Sequence, residues 1–132
     1  MKSKITVAAQ VILGLIYFVF GLNGFLNFIP APPTQPEGVI KFFEGVMSTA
    51  YFMPVLKGTE TVCGALLLLG FASPVALVIL APITIQIALF HGFLTPGISN
   101  IIMPLVMIVL HLVAASAYWH LYQPLFQRNP RA

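Results

Sequence analysis

Acidic residues are scarce in this 132-residue chain, which contains no Asp and only three Glu. Together with six Lys or Arg, the charged side chains make up 7% of the sequence, whereas a soluble domain carries about 25%. Hydrophobic residues make up 59%. Because so few charges cannot cover a globule of this size in water, the composition excludes a soluble enzyme domain and predicts a protein surrounded largely by lipid.

Cysteine is almost absent as well. A single residue, Cys63, excludes an internal disulfide and a CxxC redox pair, and we interpret it as a small buried apolar residue. Three scattered His without any Asp offer little for a metal site. The formal net charge of +3 is interpreted as a sign of membrane topology, so no nucleic-acid partner is expected.

Four long apolar runs are present, separated by proline, glycine or polar breaks. Each has about the 20 residues that a helix needs to cross a hydrocarbon core of roughly 30 Å. The predicted spans are residues 5–29, 54–72, 74–94 and 100–122. The first ends at a cluster of prolines, which cannot continue a helix. The sequence therefore predicts a single all-α domain over residues 1–132, an integral membrane four-helix bundle.

A different pattern separates the first two spans. Between Glu37 and Phe52, polar side chains recur at helical spacing and apolar ones occupy the opposite stripe. The polar stripe consists of Glu37, Lys41, Glu44 and Ser48, and the apolar stripe consists of Ile40, Phe43, Met47 and Ala50. This pattern predicts a short amphipathic helix that lies in the membrane interface.

Positive residues predict the orientation of the bundle. Four of them flank the two termini, and two fall on the opposite side of four antiparallel spans. The terminal group is Lys2, Lys4, Arg128 and Arg131, and the opposite group is Lys41 and Lys57. Because Lys and Arg are enriched on the cytoplasmic side of membrane proteins, we expect both termini in the cytoplasm.

Polar side chains inside the spans are the candidate functional residues, because placing them in lipid is costly. The set is Asn23, Glu60, Gln86, His91 and His111. At about 1.5 Å per residue, they lie roughly 5 to 16 Å from the outer ends of their spans, all in the outer half of the membrane. If the four helices turn these groups inward, they form a polar ligand-binding pocket that opens to the outside. We predict no catalytic and no metal-binding residue.

These residues also have purely structural interpretations. Asn23 and Gln86 can form hydrogen bonds between helices. Glu60 can pair with Lys57 three residues earlier, and His91 lies close enough to the membrane boundary to be hydrated.

Small residues predict the surfaces on which the helices approach one another closely. They are Gly14, Gly21 and Gly24 in the first span, Gly64 and Gly70 in the second, and residues 114–117 in the fourth. Since lipid provides no hydrophobic drive for helix association, close backbone packing at small residues favours a compact bundle.

The pattern resembles the DoxX family of small four-span membrane proteins. Residues 14–25 are similar to its G-x-x-F-x-x-x-G-x-x-K-F opening, with Asn23 or Gly24 where many members have a charged or polar residue. Residues 58–70 are similar to its E-x-x-x-G-x-x-L-L-x-G segment, in which Glu60 matches the membrane Glu. His91 also fits a family position. The resemblance extends from about Val11 to Phe126.

The resemblance implies a role in membrane redox chemistry or in assembly. Some DoxX relatives are subunits of a thiosulfate:quinone oxidoreductase, some are linked to a membrane complex for thiol and superoxide stress, and distant eukaryotic relatives act as receptor-assembly chaperones. We therefore expect an accessory subunit that has no intrinsic cofactor, binds a quinone-like or amphipathic ligand, and is not catalytic alone. The alternative is an assembly factor without a ligand. We expect a multi-pass protein of the bacterial cytoplasmic (inner) membrane, with a membrane redox protein or a second copy as partner.

Overall fold

The computed structural model describes residues 3–129, in which the regular structure is helical. The helices are α1 (Lys4–Leu26), α2 (Glu37–Met47), α3 (Phe52–Leu69), α4 (Ser73–Leu94), α5 (Ile98–Ser116) and α6 (Trp119–Tyr122), followed by a 3-10 turn at Gln123–Phe126. Helices α1, α3, α4 and α5 are long and apolar enough to cross a membrane. At most 33% of each span's most apolar window is buried within the chain, so most of this apolar surface faces outward. The predicted all-α membrane bundle is confirmed.

The four spans form a ring in which α1 and α4 are diagonal, and each packs on both α3 and α5. Successive spans run in opposite directions. Helix α1 therefore begins and α5 ends at one end of the bundle, called here the terminal end, and the link containing α2 lies at the other, called the α2 end. The largest fully buried side chains form the core between them: Leu13, Tyr17, Leu67, Leu77 and Leu80.

Local chemistry determines where α1 and α3 end. The Ser3 side chain caps the start of α1 by accepting a hydrogen bond from the Thr6 amide. At the other end, Asn27 adopts a left-handed conformation with φ of 52°, and its amide bonds to the Asn23 carbonyl. Helix α3 ends at Gly70, whose φ of 70° suits glycine because it has no Cβ. The first span therefore ends three residues before the predicted limit at Ile29.

The fourth span differs more from its predicted extent, residues 100–122. Helix α5 ends at Ser116, and the chain turns before the short helix α6. The turn begins where the amides of Ala117 and Tyr118 bond to carbonyls three residues earlier. It carries the Tyr118 hydroxyl toward Gln10 of α1, 2.5 Å from its side-chain oxygen, and Tyr122 donates to the Pro74 carbonyl at 2.7 Å. Tertiary hydrogen bonds thus replace a continuous helix at the terminal end.

Helices α1 and α3 touch backbone to backbone. A Cβ added at Gly64 would lie 2.5 Å from the Phe18 amide nitrogen and 2.8 Å from the Gly14 carbonyl oxygen. A Cβ at Gly14 would lie 2.8 Å from the Leu67 Cβ. Only glycine fits at these two positions. The predicted close approach is confirmed for Gly14 and Gly64, and it determines which residues of α3 face α1.

The amphipathic helix between the first two spans is present as α2, which is shorter than residues 37–52. It packs over the α2 end of the bundle through Phe42 and Phe43, whose rings contact Phe90 of α4 at centroid distances of 5.2 and 5.8 Å. Val39 is buried, whereas Met47 of the predicted apolar stripe is 62% exposed. The apolar side of α2 is thus divided between the bundle and its surroundings.

We expect the substitution Gly64→Ala to destabilise the bundle by about 1–3 kcal/mol, because the added methyl group collides with backbone atoms that cannot rotate away. The measurement is thermal unfolding of the purified protein in detergent. Gly58→Ala on the same helix is the matched control, since a Cβ there meets nothing within 4 Å. Both substitutions gain the same helix propensity, about 1 kcal/mol. Equal unfolding temperatures for the two variants would contradict the close contact.

Candidate functional site

A chain of hydrogen bonds crosses the centre of the bundle and joins three of its spans. The Tyr17 hydroxyl of α1 lies 2.5 Å from the Thr84 hydroxyl of α4. The Thr84 hydroxyl lies 2.9 Å from Nδ1 of His111 on α5, and Nε2 of that imidazole lies 2.9 Å from the Leu77 carbonyl of α4. All three side chains are buried. Polar groups in lipid need partners within the protein, and these residues supply them to one another.

The donor and acceptor of each hydrogen bond in this chain follow from its last acceptor, the Leu77 carbonyl. A carbonyl oxygen only accepts, so His111 donates its Nε2 proton to Leu77. A neutral imidazole has a single N–H, and its Nδ1 therefore accepts from the Thr84 hydroxyl. The oxygen of Thr84 in turn accepts from Tyr17. With neutral His111, each proton in the chain has one defined acceptor.

The same contacts stabilise α4 around its internal proline. Pro82 has no amide hydrogen, so it cannot donate to the carbonyl four residues earlier. His111 contacts Leu77 on one side of this position and Thr84 on the other. The imidazole thus links the two halves of α4 across Pro82.

Glu60 lies on the face of α3 that packs toward the interior, and it is 4% exposed. Its Oε1 is 3.0 Å from the Lys57 ammonium, so the carboxylate has an ionic partner one turn earlier. The orientation of the ammonium does not make this contact a hydrogen bond, and Oε1 accepts none from any described residue. The Lys57 side chain packs against Gly24 of α1, and a Cβ added at Gly24 would lie 2.3 Å from the Lys57 Cγ.

The hydrogen bonds among Tyr17, Thr84 and His111 leave no proton of Tyr17 for another acceptor. The single hydroxyl proton of Tyr17 is used in the bond to Thr84. Glu60 Oε1 is a buried acceptor that has an ionic partner in Lys57 but accepts no hydrogen bond, which is the unusual feature of this site.

The five residues predicted to form a pocket are not gathered in one place. Glu60 and His111 are both buried, and His111 is joined to Tyr17 through Thr84. Asn23 instead accepts from the Ile29 amide at 2.7 Å, and this bond stabilises the chain just after α1. His91 is part-buried, with Nδ1 3.0 Å from the Thr95 hydroxyl. Gln86 is exposed on α4.

Open space on the protein surface lies elsewhere. A shallow groove of about 460 Å³ runs between α3 and α4, and a second one of about 470 Å³ runs along α2. The first is lined by Pro54, Val55, Gly58, Thr59, Val62, Cys63 and Ile79, and the second by Ala31, Gln35, Val39, Ile40, Phe43, Glu44 and Met47. Neither groove includes any of the five predicted residues. Over residues 3–129, no three His, Cys or acidic side chains are grouped closely enough to hold a metal ion.

Sequence reasoning missed Tyr17 and Thr84, the two hydroxyl residues that form the hydrogen-bond chain with His111. It considered ionisable groups and amides, whereas Tyr17 stands in an aromatic run and Thr84 alternates with isoleucines. A search for hydroxyl residues at the same depth as His111 would have found Thr84. It would not have shown which way the side chain points.

A second polar cluster, at the terminal end, is fully satisfied. The Gln10 amide donates to the Leu67 carbonyl and the Ser73 hydroxyl, both at 3.0 Å, and its oxygen accepts from Tyr118. These bonds cap the end of α3 and join it to α1 and α4. We interpret this cluster as structural.

We expect Thr84→Val to destabilise the protein by about 1–3 kcal/mol, because the isosteric change leaves the Tyr17 hydroxyl and the Nδ1 atom of His111 without a partner, while His111 Nε2 keeps its bond to Leu77. Thr59→Val is the matched control, since the Thr59 hydroxyl bonds only to the Val55 carbonyl of its own helix. Thermal unfolding in detergent compares the two. If Thr84→Val lowers the unfolding temperature no more than Thr59→Val does, the hydrogen bonds among Tyr17, Thr84 and His111 contribute nothing to stability.

Comparison with known proteins bears directly on this site. The model of the DoxX family matches residues 6–92, more than half of the chain, from α1 almost to the end of α4. The matched region includes Tyr17, Glu60 and Thr84, whereas His111 lies beyond it. The comparisons with curated proteins and with solved structures found no match. The resemblance seen in residues 14–25 and 58–70 is confirmed by the family match, and this four-span chain belongs to the DoxX family.

Proposed function

We propose that this protein is an accessory subunit of a membrane redox system and binds a quinone-like or similar amphipathic ligand beside Glu60. The observation that carries the proposal is the Oε1 atom of Glu60, which is buried and paired in charge but accepts no hydrogen bond. A buried acceptor without a donor costs free energy unless another group supplies the proton. A ligand hydroxyl would do so.

The chemistry next to Glu60 favours a quinone and its reduced form. Glu60 can accept from a quinol hydroxyl, and Lys57 can donate to a quinone carbonyl. The Lys57 side chain is 22% exposed, compared with 5% for Glu60, so the ammonium is the more accessible member of the pair. The apolar surface around the bundle suits the rest of an amphipathic molecule.

The proposed role is accessory because the residues at this site bind and orient a ligand through hydrogen bonds. Electron transfer is assigned to a partner protein in the membrane. The Tyr17–Thr84–His111 chain then has a positioning role, since it uses the Tyr17 hydroxyl proton in the bond to Thr84 and leaves Glu60 Oε1 to accept from a ligand.

The proposed location is the bacterial cytoplasmic membrane, with both termini in the cytoplasm. Lys4 and Arg128 are at the terminal end, while Lys2 and Arg131 fall outside the described residues. The positive charge near the termini supports this orientation. It places Lys57 and Glu60 in the half of the bundle away from the cytoplasm.

The test is ligand-dependent thermal stability in detergent with a short-chain quinol. A ligand present at about 100 times its Kd stabilises the folded state by about 2.7 kcal/mol. We expect the unfolding temperature of the wild type to rise and that of Glu60→Gln to stay unchanged, each relative to its own ligand-free value. The exposed residue Glu44 provides the control variant Glu44→Gln, which should respond like the wild type.

Two results would count against the proposal. A quinol response that persists in Glu60→Gln would remove Glu60 from the site. The absence of any response in the wild type, together with a partner protein that co-purifies with both variants, would favour the assembly factor.

A further inference from the structure

Gln86 is a polar side chain on the outward surface of a membrane span. It is exposed on α4, eight residues before the end of the helix at Leu94, or about 12 Å along the axis. Its amide forms no hydrogen bond within residues 3–129. Two other amide side chains of the spans, Gln10 and Asn23 of α1, are both bonded within the chain.

The surroundings of Gln86 form a stripe along the outside of α4. Its apolar members are exposed between 44% and 80%: Val75, Val78, Ile79, Ile85, Leu89 and Phe93. Pro82 lies on the same exposed side and removes the amide that would bond to the Val78 carbonyl.

An amide exposed to hydrocarbon is unfavourable, because lipid chains offer neither donors nor acceptors. Glutamine side chains in membrane helices therefore bond to polar groups of neighbouring helices. Helices α3 and α5 pack on the other sides of α4, and no helix within residues 3–129 covers the Gln86 side chain. The described residues thus leave the Gln86 amide free to bond with a partner outside the chain.

We propose that the α4 stripe is a homodimer interface in which the Gln86 amides of two copies bond to each other across a two-fold axis. A primary amide is self-complementary, since it has two donors and a carbonyl acceptor. In two copies related by a two-fold axis, identical groups near that axis lie opposite each other. Each Gln86 amide would then find its hydrogen-bond partner in the Gln86 amide of the other copy. Residues Ile85 and Leu89 then pack against their counterparts.

This interface is separate from the proposed ligand site. Glu60 and Lys57 face α1, on the inside of the ring, whereas Gln86 faces outward. Loss of dimerisation and loss of quinol binding are therefore distinguishable, and either proposal can fail alone.

The first experiment is disulfide cross-linking in native membranes. Cysteine is introduced as Leu89→Cys, one turn from Gln86 on the same stripe, in a Cys63→Ala background that removes the single native thiol. The control is Val109→Cys, which is 58% exposed on α5. We expect a cross-linked dimer with Leu89→Cys upon oxidation and none with Val109→Cys.

The second experiment measures the mass of the purified protein in lipid nanodiscs. We expect the wild type and Gln86→Asn, which retains an amide, to be dimeric. Gln86→Leu should dissociate about tenfold or more readily, since interhelical hydrogen bonds in lipid contribute up to about 1–2 kcal/mol each. The fold should be unaffected, because Gln86 has no bond within the chain to lose.

A monomeric wild type in both nanodiscs and membranes would overturn the proposal and assign the stripe to a different protein. A dimer that persists unchanged in Gln86→Leu, or that cross-links through Val109→Cys instead, would show that the copies meet on another face.

Discussion

The contact between the backbones of α1 and α3 is the constraint from which the site follows. Because a Cβ at Gly14 or Gly64 would collide with atoms of the facing helix, the two glycines hold α1 and α3 in close contact. On α3, Glu60 lies one turn from Gly64 and is therefore directed inward. Larger residues at the two glycines would separate the helices and let water or lipid reach the carboxylate.

The surrounding lipid requires each polar group of the spans to have a hydrogen-bond partner. In water, a hydroxyl or amide without a protein partner costs little free energy, because it bonds to water. In hydrocarbon the same unpaired group is costly, so it needs a hydrogen-bond partner within the protein. The Tyr17, Thr84 and His111 side chains satisfy this demand among themselves, as do Gln10, Ser73 and Tyr118 at the terminal end. Against this background, two groups that accept or donate no hydrogen bond within residues 3–129 are informative. Glu60 points into the bundle and suits a small ligand, while Gln86 points out of it and suits another helix.

Much of the fold was predictable, and the site was predictable only in part. Runs of apolar residues and their proline or glycine ends locate the spans to within a few residues, except where α5 ends early at Ser116. The depth of a polar residue follows from counting along its span. Its direction does not, because a helix such as α4 is apolar on all sides and has no stripe that indicates which face is buried. Gln86 and His91 were therefore expected to share a pocket with Glu60, although Gln86 faces outward.

The sequence by itself determined that this is a four-span α-helical membrane protein, that α2 is amphipathic, and that small residues mark candidate helix contacts, of which the structure confirms Gly14 and Gly64 and not Gly70. These properties depend on composition and on spacing along one chain. The tertiary structure alone decided that Thr84 stands between Tyr17 and His111, and that within residues 3–129 Glu60 Oε1 accepts no hydrogen bond and the Gln86 amide forms none. Those relations depend on how each helix is rotated about its axis. That rotation results from packing between residues distant in the chain, and no local pattern encodes it.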